Sequence, residues 1–201
     1  MWENVHADQV YRADALGIIG TGARWLTLLS IGWVIARWHR AGPRSLLDNS
    51  PLGGLLSHRV RLERLPAMLE QGHLRALAIT TSSYGSGLHV TFYEASGEAV
   101  PWTRSQRIAV RERIGVRHLL ASSAIPFVFP AVALELHGHR EYFGDGTMRQ
   151  SAPISPAVHL GAQRILVIGA GRMLEPPGVR VGSDAYPSLA QIAGHALSSI
   201  F

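Results

Sequence analysis

The sequence contains no cysteine and no lysine. Without cysteine the chain has no disulfide, no thiol nucleophile and no cysteine-ligated metal, and a reducing compartment is mildly favoured. Without lysine it has no Schiff-base lysine, no Ser-Lys pair and no P-loop lysine. Several classes of catalytic site are therefore excluded within this chain before any motif is considered.

Charged residues are also scarce, at 16% of the chain, and the balance is basic, with a net charge of +5. All nineteen basic residues are arginines, and no two of them are adjacent. Such scattering is typical of an ordinary protein from an arginine-biased genome; a basic surface for anionic lipid is the alternative. A nucleic-acid partner is not expected, because neither a binding motif nor a basic cluster is present.

Long apolar runs are missing as well. The most apolar window, Leu26–Ala36, has 11 residues, whereas a membrane span needs about 20. No secretory signal is visible, because Glu3 and Asp8 occupy the N-terminus and no apolar core follows a basic start. The 201 residues suit a single domain, and a location in the cytoplasm or at a membrane surface is expected.

Hydrophobic periodicity and turn residues predict an α/β domain. The predicted helices are Ala23–His39, Pro51–Leu56 (with Ser50 as its cap), Arg59–Glu70 with a break at Pro66, Arg104–Arg117, His118–Ala124, Ser155–Leu160 and Ser188–Ile200. The predicted strands are Leu74–Thr80, Leu88–Tyr93, Val132–Leu136, Glu141–Phe143 and Arg164–Gly169, and Met173–Pro187 is a predicted loop. Because strands and helices alternate in the second half, some parallel pairing is expected.

Asp145, set between Gly144 and Gly146 after an aromatic-rich strand pattern, is the main candidate for chemistry. One interpretation is structural, because Asp-Gly is a common signal for a tight hairpin turn. The other is a carboxylate held at a strand end, where the glycines let another backbone or a substrate approach closely. The residues alone leave both open.

Other candidate sites have weaker support. Ser86 lacks the flanking glycines of a nucleophile elbow, since Tyr84 and Leu88 occupy those places. Gly169–Gly171 lacks the third glycine of a dinucleotide-binding turn. His137–His139 fits an exposed turn better than a metal site, since no third ligand is nearby. Neither a cofactor nor a metal is therefore expected.

A second ambiguity concerns Ser122, Ser123, Phe127 and Phe129. These residues could line a cleft that faces lipid, or they could belong to the core and to a helix terminus. The core interpretation is favoured on sequence alone.

Several blocks of the chain, in order, resemble bacterial patatin-like phospholipases. They are Ser45–Leu52, Ile79–Thr81 followed by Gly87 and Phe92, Trp102 before an arginine-rich stretch, Ala121–Pro126, Gly144–Gly146, Pro153–Ala157 with Gly161–Ala162, and the apolar run Ile165–Gly169. The resemblance runs from about Trp2 to Ile168 and is clearest between residues 45 and 168. Its most specific part is the stretch from Ala121 to Gly146.

The resemblance implies a three-layer α/β acyl hydrolase, with helices on both faces of the sheet, that cleaves lipid esters with a Ser-Asp dyad. It implies that Asp145 is the general base, in a motif formed by Gly144, Asp145, Gly146 and Thr147. Thr147 replaces the small residue that the family usually has at this place. Lipid or ester substrates, a peripheral membrane surface and no cofactor follow from the same resemblance.

The family's glycine-rich loop and Gly-x-Ser-x-Gly elbow do not occur in the sequence, so no nucleophile is assigned. The resemblance therefore treats residues 1–201 as the C-terminal portion of one patatin-like domain, without the first strands of its sheet. Such a chain is expected to be inactive by itself and, with an apolar sheet edge exposed, poorly soluble or loosely folded. The alternative function is a non-catalytic module that keeps the fold and binds a lipid or membrane surface.

Overall fold

The computed structural model describes residues 5–12, 20, 23, 45–148 and 154–168. The α-helices are α1 (Ser50–Arg59), α2 (Leu65–Glu70), α3 (Val116–Ser122) and α4 (Ile154–His159), with short 3-10 helices at Ala7–Gln9, Leu62–Arg64 and Gly146–Met148. The strands are β1 (Ala76–Ser83), β2 (His89–Ala95), β3 (Thr103–Arg104), β4 (Arg107–Arg111), β5 (Val132–Leu136) and β6 (His139–Asp145). The predicted helix 23–39, apart from Ala23, and the predicted loop 173–187 and helix 188–200 lie outside the described residues.

The six strands form one mixed sheet in the order β3-β4-β2-β1-β6-β5. β2 and β4 are parallel, whereas the other neighbouring pairs are antiparallel. The α/β prediction, with some parallel pairing, is thus confirmed. In the described residues, no helix is both long and apolar enough to cross a membrane.

The main core lies on one face of the sheet. It joins strand residues to residues of α2, of α3 and of the segment that precedes α3: Val90, Phe92, Leu134, Leu136 and Phe143 with Leu65, Leu69, Ala121 and Ile114. A smaller cluster of Tyr93, Ala95 and Ala109 packs with Trp102 and Leu160. Because side chains alternate along a strand, Phe92 and Tyr93 point to opposite faces. Apolar groups therefore cover both faces, and the sheet lies between two layers.

The start of α1 differs from the prediction. Asp48, rather than Ser50, supplies the side-chain acceptor: its Oδ1 accepts the backbone N–H of Ser50 at 2.9 Å and also the Ser50 hydroxyl. These hydrogen bonds, from the hydroxyl first and the N–H second, hold the pKa of Asp48 below its usual value, and the Arg12 charge adds to the effect. Pro51 lies in the first turn, as predicted.

The predicted helix Arg104–Arg117 is wrong. This stretch forms β3 and β4, then a loop, and only its last two residues begin α3. In Arg107–Arg111 the β-branched Ile108 and Val110 alternate with a buried Ala109 and two exposed arginines, which suits a strand. Gln106 adopts a φ of 59° between the two strands. The many arginines of this stretch are typical of a surface helix. They make the alternation of Ile108 and Val110 with their neighbours difficult to recognise in the sequence.

The predicted strand Arg164–Gly169 is also wrong over the residues that the structure describes. Residues 164–168 form no strand, and Ile165 and Ile168 are 41% and 89% exposed. A strand needs a hydrogen-bonding neighbour, and β1, the central strand, already has β2 and β6 on its two sides. The apolar run therefore has strand composition but no strand beside it in the described part of the chain.

The buried residue His118 makes the stability of the fold depend on pH. His118 of α3 is buried and packs edge-on against Phe92, with ring centroids 4.8 Å apart. Its Nδ1 accepts the N–H of Gly115 at 3.0 Å, so the ring proton of the neutral form is on Nε2. Burial lowers the pKa of His118 from the usual 6.5. Folding therefore favours the neutral ring.

We expect the free energy of unfolding to fall as the pH drops from about 6.5 through the lower folded-state pKa of His118. In that window the unfolded chain binds the proton and the folded chain does not. Glutamine in His118→Gln keeps an acceptor for Gly115 but cannot titrate, so this variant should lose that part of the pH dependence. Urea denaturation between pH 5 and 8 measures the effect.

The control is His58→Gln, at an exposed position in α1, which should keep the pH dependence of the parent. If His118→Gln and the parent lose stability equally on acidification, burial of the neutral imidazole is not the cause.

Candidate active site

Asp145 is the last residue of β6 and lies opposite Thr81 of β1 in an antiparallel pair. Its backbone N–H donates to Ala124 O at 3.0 Å, just beyond α3. The chain continues into the 3-10 helix Gly146–Met148, while the hairpin between β5 and β6 turns at His137 and Gly138. Asp145-Gly146 is therefore not a hairpin turn. It does begin a tight turn, in which Asp145 Oδ1 accepts the N–H of Thr147, and the carboxylate is also at a strand end.

The two glycines beside Asp145 permit close packing, against a side chain at Gly144 and against backbone at Gly146. A Cβ on Gly144 would lie 2.8 and 2.9 Å from Cζ and Cε2 of the Tyr84 ring. A Cβ on Gly146 would lie 2.5 Å from the carbonyl oxygen of Thr80 and 2.8 Å from its carbonyl carbon. Contacts below 3.0 Å force a shift, and the Thr80 backbone is held in β1. The Gly-Asp-Gly pattern thus allows the Tyr84 ring to pack on Gly144 and the backbone of β1 to pack on Gly146.

We expect Gly146→Ala to lower the free energy of unfolding by about 1–3 kcal/mol, the usual cost of overpacking. The matched control is Gly54→Ala in α1, where an added Cβ meets nothing within 4 Å. That variant should gain about 0.5–1 kcal/mol, because alanine is the better helix former. Chemical denaturation of both variants measures the difference, and equal stabilities would contradict the close approach to Thr80.

The Asp145 carboxylate is held by one of its two oxygens. Oδ1 accepts the N–H of Thr147 at 2.8 Å and its hydroxyl at 2.9 Å. Among the described residues, Oδ2 receives no hydrogen bond, and the side chain is partly exposed. Thr147 thus orients the carboxylate. One oxygen is fixed and the other can accept a proton.

Tyr84 adjoins the aspartate and was not identified from the sequence. Its ring packs on Gly144, and the residue is 46% exposed. Burial of the phenol raises the pKa of Tyr84, and the negative charge of Asp145 raises it further. The phenol therefore remains protonated and can donate a hydrogen bond beside the carboxylate.

Asp145→Asn should lower the pKa of Tyr84, because removing a nearby anion makes the phenolate less unfavourable. The contribution of burial persists, so the pKa stays above the usual 10. Titration by phenolate absorbance measures the shift, and subtraction of a Tyr84→Phe curve isolates this residue.

Glu135→Gln, at the exposed position of β5, serves as the control and should leave the Tyr84 titration unchanged. Identical Tyr84 curves for the parent and Asp145→Asn would show that the two groups do not interact.

Ser83 and Ser86 bind a different carboxylate. Glu141 Oε2 accepts the hydroxyl of Ser83 and, at 3.1 Å, that of Ser86. Ser83 Oγ in turn accepts the N–H groups of Gly85 and Ser86, each at 3.1 Å. These bonds fasten the turn between β1 and β2 to β6, as expected for turn residues. In the described part of the chain, no serine hydroxyl hydrogen-bonds to Asp145.

The segment after α3 borders Asp145 but supplies no partner for its carboxylate. Ser123 Oγ donates to Leu119 O at 3.0 Å and so binds back into its own helix. Phe129 is partly buried and lies 6.3 Å from the Tyr11 ring, measured between centroids. Phe127 is 59% exposed, so the core interpretation is wrong for this residue.

An apolar cleft opens on the other face of the sheet. Its volume is about 410 Å³, and it lies between β1 and α4, lined by Leu74, Arg75, Ala76, Ala78, Thr80, Pro156, Ala157, Leu160, Gly161 and Ala162. Thr80 and Thr81 point to opposite faces, and Asp145 lies opposite Thr81. The cleft and the carboxylate are therefore separated by the sheet.

The histidines of the predicted turn are remote from the aspartate. His137 has a φ of 51° at the hairpin, and His139 begins β6. Six residues of strand, or about 20 Å, separate His139 from Asp145. Within the described residues, no group of three or more His, Cys, Asp or Glu side chains could hold a metal ion.

Comparison of the chain with models of protein families, with curated proteins and with solved structures finds no match.

Proposed function

We propose that this chain carries the aspartate half of a patatin-like serine acyl hydrolase that cleaves lipid esters, with Asp145 as the general base. The observation that carries the proposal is the way in which the surrounding residues hold the Asp145 carboxylate in place. Its backbone is fixed by β1 and Ala124, one oxygen is held by Thr147, and glycines on both sides allow close approach. A base must be positioned in this way before its proton affinity matters.

In the proposed reaction a serine hydroxyl attacks the carbonyl carbon of the ester, and its proton passes to Oδ2 of Asp145. The tetrahedral intermediate collapses as the carboxyl group returns that proton to the departing alcohol, leaving an acyl-serine. Water then repeats the sequence and releases the fatty acid. The nucleophile and the oxyanion donors come from polypeptide outside the described residues. Ser83 and Ser86 are bound to Glu141, and Ser123 is bound within α3. Ser82, opposite Gly144, is only 4% exposed and therefore inaccessible to an ester.

The exposed run Ile165–Ile168 supports a site in which Asp145 and the nucleophilic serine come from different segments of polypeptide. It is apolar and rich in β-branched residues, but it forms no strand. In the proposed enzyme it pairs with a strand of the polypeptide that bears the serine, and its apolar side chains are then buried.

A non-catalytic module that binds a lipid surface is the second candidate. The bonding of Ser83 and Ser86 to Glu141 instead of Asp145 favours it, as does the exposure of Phe127. Salt-sensitive binding to anionic vesicles without ester hydrolysis would support this alternative over the enzyme.

The chain by itself should show no labelling by a fluorophosphonate probe and no hydrolysis of p-nitrophenyl esters, because its sequence contains no Gly-x-Ser-x-Gly elbow. In-gel fluorescence after incubation with the probe measures this. Labelling that disappears in Asp145→Ala would mean that a serine of this chain serves as the nucleophile.

The positive test uses a longer protein, in which the reading frame continues upstream and encodes a Gly-x-Ser-x-Gly elbow. There Asp145→Asn, which keeps the Thr147 hydrogen bond, should lower kcat/KM by at least about 100-fold, the usual contribution of a general base. Glu135→Gln is the carboxylate control and should retain activity. Full activity of Asp145→Asn would exclude Asp145 as the base.

A further inference from the structure

Two clefts meet at Arg75, on the face of the sheet opposite Asp145. One is the apolar cleft of about 410 Å³ between β1 and α4. The other is polar, has a volume of about 600 Å³, and lies between the loop that follows β2 and the end of α4. Arg75, Leu160 and Gly161 line both clefts. Each volume is within the range of about 300–1,000 Å³ that is usual for ligand sites.

Small side chains leave the apolar cleft open. Ala76 and Ala78 line it from β1, and Ala157 lines it from α4. None of these side chains extends beyond Cβ, so the space between the strand and the helix is not filled. Pro156 and Leu160 add further apolar surface. A ligand with an apolar chain gains free energy in such a space, because its hydrocarbon is removed from water.

The guanidinium of Arg75 is placed where the two clefts meet. It packs on Gly161, since a Cβ on that glycine would lie 3.3 Å from both Cζ and Nη2 of Arg75. The backbone of Arg75 is also fixed, because its carbonyl accepts the N–H of Ser96 at 2.9 Å and the Ser96 hydroxyl at 3.1 Å. A positive charge therefore lies between an apolar and a polar space.

Stabilisation of the end of α4 is the structural alternative for Arg75. A cation near a helix C-terminus is favourable, and it often hydrogen-bonds to the last carbonyls. Among the described residues, however, the Arg75 guanidinium donates no hydrogen bond and forms no ion pair, although the exposed Glu98 lines the same polar cleft. Its N–H groups can therefore bind the acid group of a ligand, through two parallel hydrogen bonds.

Aromatic stacking fixes the wall of the polar cleft. The Trp102 ring stacks on Tyr93, with centroids 5.4 Å apart, and on His159 of α4, with centroids 4.6 Å apart. The Tyr93 hydroxyl donates to Ala99 O at 2.9 Å. Because Ala99, Trp102 and His159 all line this cleft, its shape is formed before a ligand binds.

We propose that the two clefts bind an amphiphilic anion, a molecule with one acid group and one apolar chain. The acid group binds the Arg75 guanidinium and faces the polar cleft, and the chain lies in the apolar cleft between β1 and α4. A fatty acid and a single-chain phosphate monoester share this chemistry. The inference is independent of the proposed function, because the sheet separates the apolar cleft from Asp145.

The test measures the binding of decanoate, decyl phosphate and uncharged decanol to the full chain by isothermal titration calorimetry. All three are used below the concentrations at which they form micelles or separate from water. Decanol has the apolar chain without the acid group. At least one of the two anions should therefore bind at least about tenfold more tightly than decanol, as expected for a hydrogen bond between charged groups.

Arg75→Gln should weaken binding of that anion at least about tenfold and leave decanol binding unchanged, so that decanol reports whether the cleft is intact. The matched control is Arg59→Gln, at an exposed arginine of α1, which should bind all three ligands as the parent does. Ala78→Leu places a larger side chain in the apolar cleft and should weaken binding of all three. Thermal denaturation confirms that each variant is folded.

Tighter binding of decanoate identifies a fatty acid as the ligand, and tighter binding of decyl phosphate identifies a phosphate monoester. The proposal is overturned if neither anion binds, if decanol binds as tightly as the anions, or if Arg75→Gln binds the anions as the parent does. Asp145→Asn should bind them normally, so a failure of the general-base role does not alter this experiment.

Discussion

The close approach of Gly146 to the Thr80 carbonyl is the contact on which the candidate site depends. Because Gly146 has no side chain, the chain can pack directly on the backbone of β1 where β6 ends. Asp145, the last residue of β6, is held at that end of the strand. A side chain on Gly146 would collide with the backbone of Thr80, whereas a side chain on Gly144 would displace the Tyr84 ring. The position of the carboxylate is therefore a consequence of sheet packing, with Thr147 setting only its final orientation.

The sheet separates two regions with different chemistry. The face covered by α2 and α3 carries the large apolar core and, at its edge, Asp145 and the loop with Phe127. The other face carries smaller residues, the Tyr93–Trp102 stack and the apolar cleft beside α4. Because Asp145 belongs to the first region, the apolar cleft beside α4 lies on the opposite face of the sheet from the proposed base.

The sequence was sufficient for the elements with a clear local period. Val132–Leu136 was predicted residue for residue, and the strands around Ile79 and Phe92 were located correctly, because their apolar runs are bounded by turns. Arg107–Arg111 was missed because its arginines obscured a short alternation. Ile165–Ile168 has strand composition, but strand formation depends on a neighbour that composition cannot reveal. The roles of Tyr84 and Glu141 depend on the register of β1 with β6, which is a non-local property.

The position of the nucleophile relative to Asp145 tests the proposed base most directly. It can be measured in a crystal structure of the longer, serine-containing protein after reaction with a fluorophosphonate. The general-base role predicts that the modified serine oxygen lies about 2.6–3.2 Å from Asp145 Oδ2, or one water molecule away. An adduct on Ser86 beside Glu141, or on any serine out of reach of Asp145, would contradict that role.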